Sequence, residues 1–368
     1  MIAGVIGATG YAGAELVRLL AAHPKVTELA LASVSFEGAR IEDVYPNFMG
    51  KVTARLVKPE EAAAQADAVF AALPAGAGEA YAEACVGRGA PFIDLSADFR
   101  FGTDEALYQA WYGKGWAKPA LREAAVYGLP ELNRARIWEQ AAAGRVIIGN
   151  PGCYPTGASL GAFPALARGL VDEGARVIVD SASGVTGGGR EPARAFHYPE
   201  CADSLAPYKV GCHRHSPEIA RNFAAMAGRP VQVTFTPHLA PMNRGILSTI
   251  YLPLKREWQA RPAGSACLPP GPEAAARAEA IHHLYKEFYA KEPFVRVLPA
   301  GVPAATGRVR MSNFCDISVT LDQSGTILIA ASAIDNMVKG AAGQAVQNLN
   351  VIMGWDETSG LEAVPALF

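Results

Sequence analysis

Lysine and arginine never gather into a run in this 368-residue chain, and its 33 basic residues are offset by 35 acidic ones to a formal net charge of −2. That balance gives no electrostatic footprint for nucleic acid and no basic face for anionic lipid, so neither partner is expected. A small polar metabolite fits better. No window reaches the roughly 18 continuous apolar residues of a membrane helix. The opening MIAGVIGATG lacks the charged leading region of a signal peptide and reads as a first β-strand. Cysteine is sparse: Cys85, Cys153, Cys201, Cys212, Cys267 and Cys315 form no CxxC pair and no metal-type spacing. In a large apolar-rich chain this pattern implies reduced thiols and a cytoplasmic setting. Internal repeats and low-complexity tracts are also missing.

What is present is length enough for two domains, with half of the residues hydrophobic. Over the first 150 residues, short apolar runs (IAGVIGA, ELALASVS, ADAVFAAL, PFIDLSA) alternate with amphipathic stretches such as AGAELVRLLAAHP. This alternation predicts βαβ units and a doubly wound parallel sheet, an α/β domain of Rossmann type. From about Val177 the texture changes. RVIVDSASGV, VQVTFTPHL, GILSTIYLPL, FVRVLPAG and NFCDISVTLD are strand-like with few helices between them, predicting an α+β domain on a mainly antiparallel sheet. Arg261 to Ala280 begins as a Pro/Gly loop and becomes helical, and DNMVKGAAGQAVQNLNVIMG has the spacing of a helix that docks back on the first domain. The expected division is 1–152 for a dinucleotide, 153–332 for substrate, catalysis and oligomerisation, and 333–368 for the returning helix.

The segment GATGYAG, with Gly7, Thr9, Gly10, Tyr11 and Gly13 between a strand and a helix, can turn backbone N–H groups and a positive helix end toward a pyrophosphate. Its spacing is GxxGxxG, with Thr9 where GxGxxG has its second glycine, and a turn that merely packs helix on sheet is the bland alternative. Beyond the second strand stand Ser33 and Ser35, with no acid before Glu37. Two hydroxyls, with Arg40 in reach, suit the 2′-phosphate of NADP better than the free hydroxyl of NAD.

In VIIGNPGCYPTGASL a β-branched run leads through Asn-Pro-Gly to Cys153, and Pro155 suits a helix's first turn. Cys153 is thus expected at a helix N-terminus, where the dipole favours thiolate and backbone amides can receive an oxyanion. The other five cysteines read as structural. GCHRHSPEI offers His213 and His215 before a helix with Ser216 as its expected N-cap. His213 is the first choice for acid/base partner and His215 the second, since spacing does not separate them; no third ligand recommends a metal. SASGVTGGGR, with Ser183, Gly184, Thr186 and Arg190, can form a backbone nest for phosphate, or can be a flexible loop. Nicotinamide, thiolate, histidine and phosphate nest together point to reduction of an acyl phosphate through a thioester.

GATGYAGAELVRLL, DLSADFR, YGLPELNR, NPGCYPT, SGVTGGGR, GCHRHSPEI, NRGILST and DNMVKGAAGQAVQN follow in the order of similar motifs in the aspartate-semialdehyde dehydrogenase-like family, and the chain resembles that family over nearly its whole length, most closely the acyl-phosphate reductases of arginine biosynthesis. The resemblance implies Cys153 as nucleophile, a histidine of the HRH triplet as acid/base, NADPH as reductant and a homo-oligomer, dimer or tetramer. The implied reaction reduces an N-acetylglutamyl phosphate to its semialdehyde with release of phosphate. A lysine-pathway homologue taking an aminoadipyl phosphate differs by one methylene, worth only about 1–3 kcal/mol of discrimination. Ser96 and Arg100 in DLSADFR, with Arg190, are candidates for the anionic ends of the substrate, and Asn336 for the cofactor site. One departure stands out: where the family often has Ser-Arg, this chain has Ser33-Val34-Ser35, which removes an arginine clamp from the 2′-phosphate. A Cys/His hydrolase would leave the glycine turn without a purpose, and a silent nucleotide-binding regulator would leave Cys153 and the histidines without one.

Overall fold

The computed structural model describes residues 1–260 and 272–367. Cys267 and the first part of the Arg261–Ala280 segment lie outside the described residues. The chain divides into two compact units, one of Met1–Gly152, Gly188–Glu191 and Met337–Val364, the other of Cys153–Gly187, Pro192–Asn336 and the residues from Pro365.

The first unit is built on seven strands: β1 (Ile2–Ile6), β2 (Glu28–Ala32), β3 (Leu56–Val57), β4 (Ala68–Ala71), β5 (Phe92–Asp94), β6 (Ala125–Tyr127) and β7 (Ile147–Gly149). Their order is β3-β2-β1-β4-β5-β7-β6, and every pairing is parallel. The alternation of apolar runs and helices predicts this, because a parallel neighbour needs a crossover and both sheet faces are then covered. β4, β5 and β7 are accordingly buried throughout. The helix Tyr11–Ala21 buries Leu16, Val17, Leu19 and Leu20. Strand order reverses between β1 and β4, so the chain leaving β1 at Gly7 emerges at the switch point where doubly wound sheets bind ligands. The helix Gly343–Ile352 belongs to this unit, preceded by a π-turn at Val338–Ala342 in which the buried Lys339 meets the buried Glu131 at 2.6 Å.

The second unit carries β8 (Arg176–Ser183), β9 (Ala206–Pro207), β10 (Gln232–Leu239), β11 (Ile246–Pro253), β12 (Val295–Val297), β13 (Cys315–Leu321) and β14 (Ile327–Ile334) in the order β12-β13-β14-β11-β8-β10-β9. The sheet is mixed and mainly antiparallel; only β8–β10 and β12–β13 run parallel. β14 is a strand the sequence reading passed over, although ILIAASAI follows a turn at Asp322–Gly325. β11 alternates strictly between buried and half-buried residues. Its buried face lies against the helix Cys153–Ala167, which also packs on β14 and on the helix Ser216–Ala227. Small residues allow the close approach: the Ser332 hydroxyl donates to the Gly157 carbonyl at 2.8 Å, and a Cβ on Gly161 would press on Ile250.

Candidate active site

At the end of β1 the turn is tight enough to exclude side chains. Gly7 has φ +84°, and a Cβ there would strike the Ala72 carbonyl, while one on Gly13 would strike the carbonyl of Gly7. Gly10 is different: a Cβ would meet nothing closer than 3.5 Å, so its outer side is open. Gly10 caps the helix Tyr11–Ala21 without any side-chain hydrogen bond, and no acid stands in the first turn. First-turn amides without a side-chain cap, at a positive helix end, fit a pyrophosphate. The Thr9 and Ser33 hydroxyls lie 2.8 Å apart and are buried, whereas Tyr11, Val34 and Ser35 are exposed. Arg40 is held by Glu42 at 2.5 Å and so is not a spare cation.

In the second unit, Cys153 is the first residue of the helix Cys153–Ala167 and is half-buried. Beside it the Tyr154 hydroxyl lies 3.0 Å from that of Tyr208 and donates to the His238 carbonyl at 3.3 Å. Burial raises both phenols, Tyr208 to about 12, and the negative charge of a Cys153 thiolate acts in the same direction on each. His213 is walled in by the ring edges of Tyr154, Tyr208 and Phe235 at 5.4–5.6 Å between centroids. Its Nδ1 accepts the backbone N–H of His215 at 3.1 Å. Burial, reinforced by the charges of Lys209 and Arg214, pushes the His213 imidazole down to about 4. The half-buried His215 ring stands 4.9 Å from that of His213 and 5.9 Å from that of Tyr154. The helix begins one residue earlier than a Ser216 cap requires: His215, already in the αR region, is the N-cap, and Ser216 is the first helical residue. Sequence reasoning missed the aromatic wall, although Tyr154 stands in the same motif as the cysteine.

The glycine loop after β8 departs from the expected nest. The N–H groups of Gly184, Val185, Thr186 and Gly187 donate to the carbonyls of Gly245, Met242, Asn243 and Gly184, so this half has no converging amides to offer an anion. The Thr186 hydroxyl donates to the Asn243 carbonyl at 2.7 Å and accepts from the Asn336 amide at 3.0 Å. Asn336 in turn accepts the Gly245 N–H, which makes it a brace for this loop within the second unit. Ser183 is buried and donates to the Gly184 carbonyl. Arg190 falls in the first unit, where it donates to the Thr9 carbonyl at 3.0 Å.

Ser96 and Arg100 are turned into the first unit. Ser96 donates to the Asp94 carboxylate at 2.6 Å, and Arg100 donates to the Asn150 and Leu95 carbonyls, each at 2.7 Å, bracing the ends of β5 and β7. Burial, reinforced by the Asp98 charge, raises the Asp94 carboxyl to about 7. Cys85 and Cys315 are buried as structural cysteines should be, but Cys212 is exposed. Among the described residues no group of three or more His, Cys, Asp or Glu side chains could hold a metal.

A strand-turn-helix cradle in one unit and a helix-borne cysteine with two histidines in the other are matched by known proteins. Residues 2–140 match the semialdehyde dehydrogenase NAD binding domain and residues 153–336 the semialdehyde dehydrogenase dimerisation domain. A curated N-acetyl-gamma-glutamyl-phosphate reductase of Clostridium kluyveri is 44% identical over 99% of both chains, and one of Symbiobacterium thermophilum is 45% identical over 97% of this chain and 96% of its own. The chain belongs to the semialdehyde dehydrogenase family, in its N-acetyl-gamma-glutamyl-phosphate reductase branch. More distant in sequence, aspartate semialdehyde dehydrogenase II of Vibrio cholerae, solved in complex with ASA, superposes with a TM-score of 0.70 at 16% identity, covering 96% of this chain and 98% of its own. The Candida albicans aspartate semialdehyde dehydrogenase solved with NADP gives 0.66 at 18% identity, with the same coverage. At those identities the structures speak for the fold. Family membership makes the glycine turn part of an NAD(P)-binding domain, and it gives the second sheet to a domain of the dimerisation type. No described helix is long and apolar enough to cross a membrane.

Proposed function

We propose that this oxidoreductase reduces N-acetyl-gamma-glutamyl phosphate to N-acetylglutamate 5-semialdehyde, with release of phosphate, as a cytoplasmic enzyme of arginine biosynthesis. The observation that carries the reading is half-buried Cys153 at the head of a fifteen-residue helix whose next residue, Tyr154, has its ring against those of His213 and His215, in a chain 44% identical to a curated reductase of that name. Cys153 attacks the acyl carbonyl as a thiolate; the C–S bond forms, the acyl C–O bond breaks, and inorganic phosphate leaves. Helix-end amides stabilise the oxyanion of the tetrahedral adduct. The glycine turn, with Gly7, Thr9, Gly10, Tyr11 and Gly13, would hold NADPH, which when bound would supply the hydride. His215 protonates the developing oxygen to give the hemithioacetal and takes the same proton back as the C–S bond breaks, so that the aldehyde forms and Cys153 leaves as thiolate.

His215 is assigned the proton in preference to His213 on burial. A ring held near 4 is neutral throughout the working range, and a proton carrier serves best when its pKa lies near the operating pH. His213 instead fixes the backbone of His215 through its Nδ1. Reverse turnover tests the scheme. With the semialdehyde and NADP+ but no phosphate, the enzyme should release a burst of about one NADPH per active site and stall, and phosphate should restore steady turnover. Sustained turnover without phosphate would mean that water, rather than phosphate, resolves the thioester.

We assign subunit association to the outer face of the second sheet. There Ile178, 43% exposed, pairs across strands with Tyr251, next to Thr249 and Asp180. A face left half-covered in a domain of the dimerisation type suits a second copy of the chain, and a homodimer is the smallest assembly that covers it. Ile178→Lys should therefore shift the sedimentation coefficient toward the monomer, because an uncompensated charge would be buried. An unchanged coefficient would remove this face from the interface.

A further inference from the structure

The corner where β2 ends holds two hydroxyls, those of Ser33 and Ser35, and no cation of its own: Val34 between them is 79% exposed and apolar. Hydroxyls alone are a weak grip on a doubly charged phosphate, which calls for a guanidinium or ammonium. Arg40 nearby is neutralised by Glu42 at 2.5 Å, and Arg55 donates to the Gly38 carbonyl.

The missing charge arrives from elsewhere in the chain. Arg190, 156 residues beyond Val34 in the numbering, brings its guanidinium 4.9 Å from the centre of the Tyr45 ring and 5.5 Å from that of Phe36. Phe36 follows Ser35 directly, so the cation lies over the segment leaving β2. Its Nη1 donates to the carbonyl of Thr9, whose hydroxyl is bonded to Ser33, and the Tyr45 hydroxyl donates to the same carbonyl at 2.9 Å. Two ring faces and a carbonyl thus orient the guanidinium without neutralising it. Among the described residues it has no carboxylate partner. A guanidinium carries five N–H donors, which leaves enough for a forked contact with phosphate oxygens. The first half of its loop cannot serve an anion, since the amides of Gly184–Gly187 are already donated.

We infer that Arg190 grips the 2′-phosphate of NADPH and is the residue through which this enzyme distinguishes NADPH from NADH. The inference rests on the dinucleotide reading of the glycine turn. In a doubly wound sheet the adenosine ribose lies at the end of β2, where Phe36 and the Thr9–Ser33 pair stand, whereas the pyrophosphate lies on the helix end at Gly10. Contacts with Phe36 and Tyr45 therefore favour the 2′-phosphate over the pyrophosphate as the bound anion. They also separate Arg190 from the acyl phosphate to which the loop motif alone assigned it.

Calorimetric titration of the intact enzyme with NADPH, NADH, 2′,5′-ADP and 5′-AMP tests this without turnover. The wild type should bind NADPH more tightly than NADH, and 2′,5′-ADP more tightly than 5′-AMP. Arg190→Ala should weaken NADPH and 2′,5′-ADP by about 10- to 100-fold, the scale of a lost charged hydrogen bond, while NADH and 5′-AMP change by less than about twofold. Unchanged NADH binding also certifies the fold of the variant; should the alanine protein not fold, Arg190→Gln, which keeps the side chain's length, gives the same comparison. Val34→Arg added to Arg190→Ala should recover the preference for NADPH, because a guanidinium then reaches the same corner. Equal weakening of NADPH and NADH would place Arg190 on the pyrophosphate and overturn the inference, as would no weakening of either. A wild type that binds none of the four would sink the dinucleotide reading itself.

Discussion

Cys153→Ser should fold, bind NADPH with unchanged affinity, and lose reductase activity by about 10³-fold or more, the scale seen when a nucleophile is removed from a covalent mechanism. The loss follows from chemistry rather than packing. Serine fits the half-buried first position of the helix Cys153–Ala167 as well as cysteine does, but its hydroxyl does not ionise near neutral pH, whereas a thiol at a positive helix end does. The two phenols beside it sharpen the point. Tyr154 and Tyr208 stay neutral because burial raises both, so neither adds a negative charge that would oppose formation of the thiolate. Rates and coenzyme affinities measured side by side decide the matter: residual turnover above about a tenth of wild type would end the thioester scheme, and a parallel loss of NADPH binding would make Cys153 a structural residue.

Much of this was legible in the sequence because the features were local. A strand running into Gly7, Gly10 and Gly13 and then into an amphipathic helix leaves little freedom, since the close approaches at Gly7 and Gly13 exclude any side chain. Cys153 at a helix start followed from Pro-Gly before it and Pro155 after it in the same way. The alternating apolar runs likewise gave the parallel sheet, and the denser strand pattern after Val177 gave the mixed one.

What escaped depends on contacts between residues far apart in the chain. The amides of Gly184–Gly187 look like an anion nest until the Met242–Gly245 segment is brought against them and takes their hydrogen bonds. The brace that the Asn336 side chain makes between Thr186 and Gly245 likewise joins residues far apart in the chain. Arg190 carries no local mark that separates a phosphate on the substrate from one on the coenzyme; the arrival of Phe36, Tyr45 and the Thr9 carbonyl around it is the ground on which the coenzyme is proposed. For the same reason GCHRH put His213 first and His215 second with nothing in its spacing to support that order. The reverse order proposed above rests on Tyr154, Tyr208 and Phe235, which lie outside the motif and wall in His213.

That ranking carries the second large effect. His215→Ala should lower kcat by about 10² to 10⁴, the contribution of a positioned acid/base, with the Kd for NADPH unchanged. His213→Phe, which keeps an aromatic ring in the wall but removes the Nδ1 that accepts the His215 N–H, should cost less, because it loosens the proton carrier without removing it. The two variants also part company in stability. In the folded protein His213 stays neutral down to about pH 4, while an unfolded histidine takes up its proton near 6.5, so the unfolded state binds more protons as the pH falls between those values. The stability that neutral burial provides is therefore complete above about 6.5 and is lost on acidification toward 4. Urea midpoints at pH 7 and pH 5 should differ more for the wild type and for His215→Ala than for His213→Phe, which has no such group to protonate. If His213→Phe instead shows the larger drop in kcat and an unaltered pH dependence of stability, the order of the two residues is reversed and His213 carries the proton.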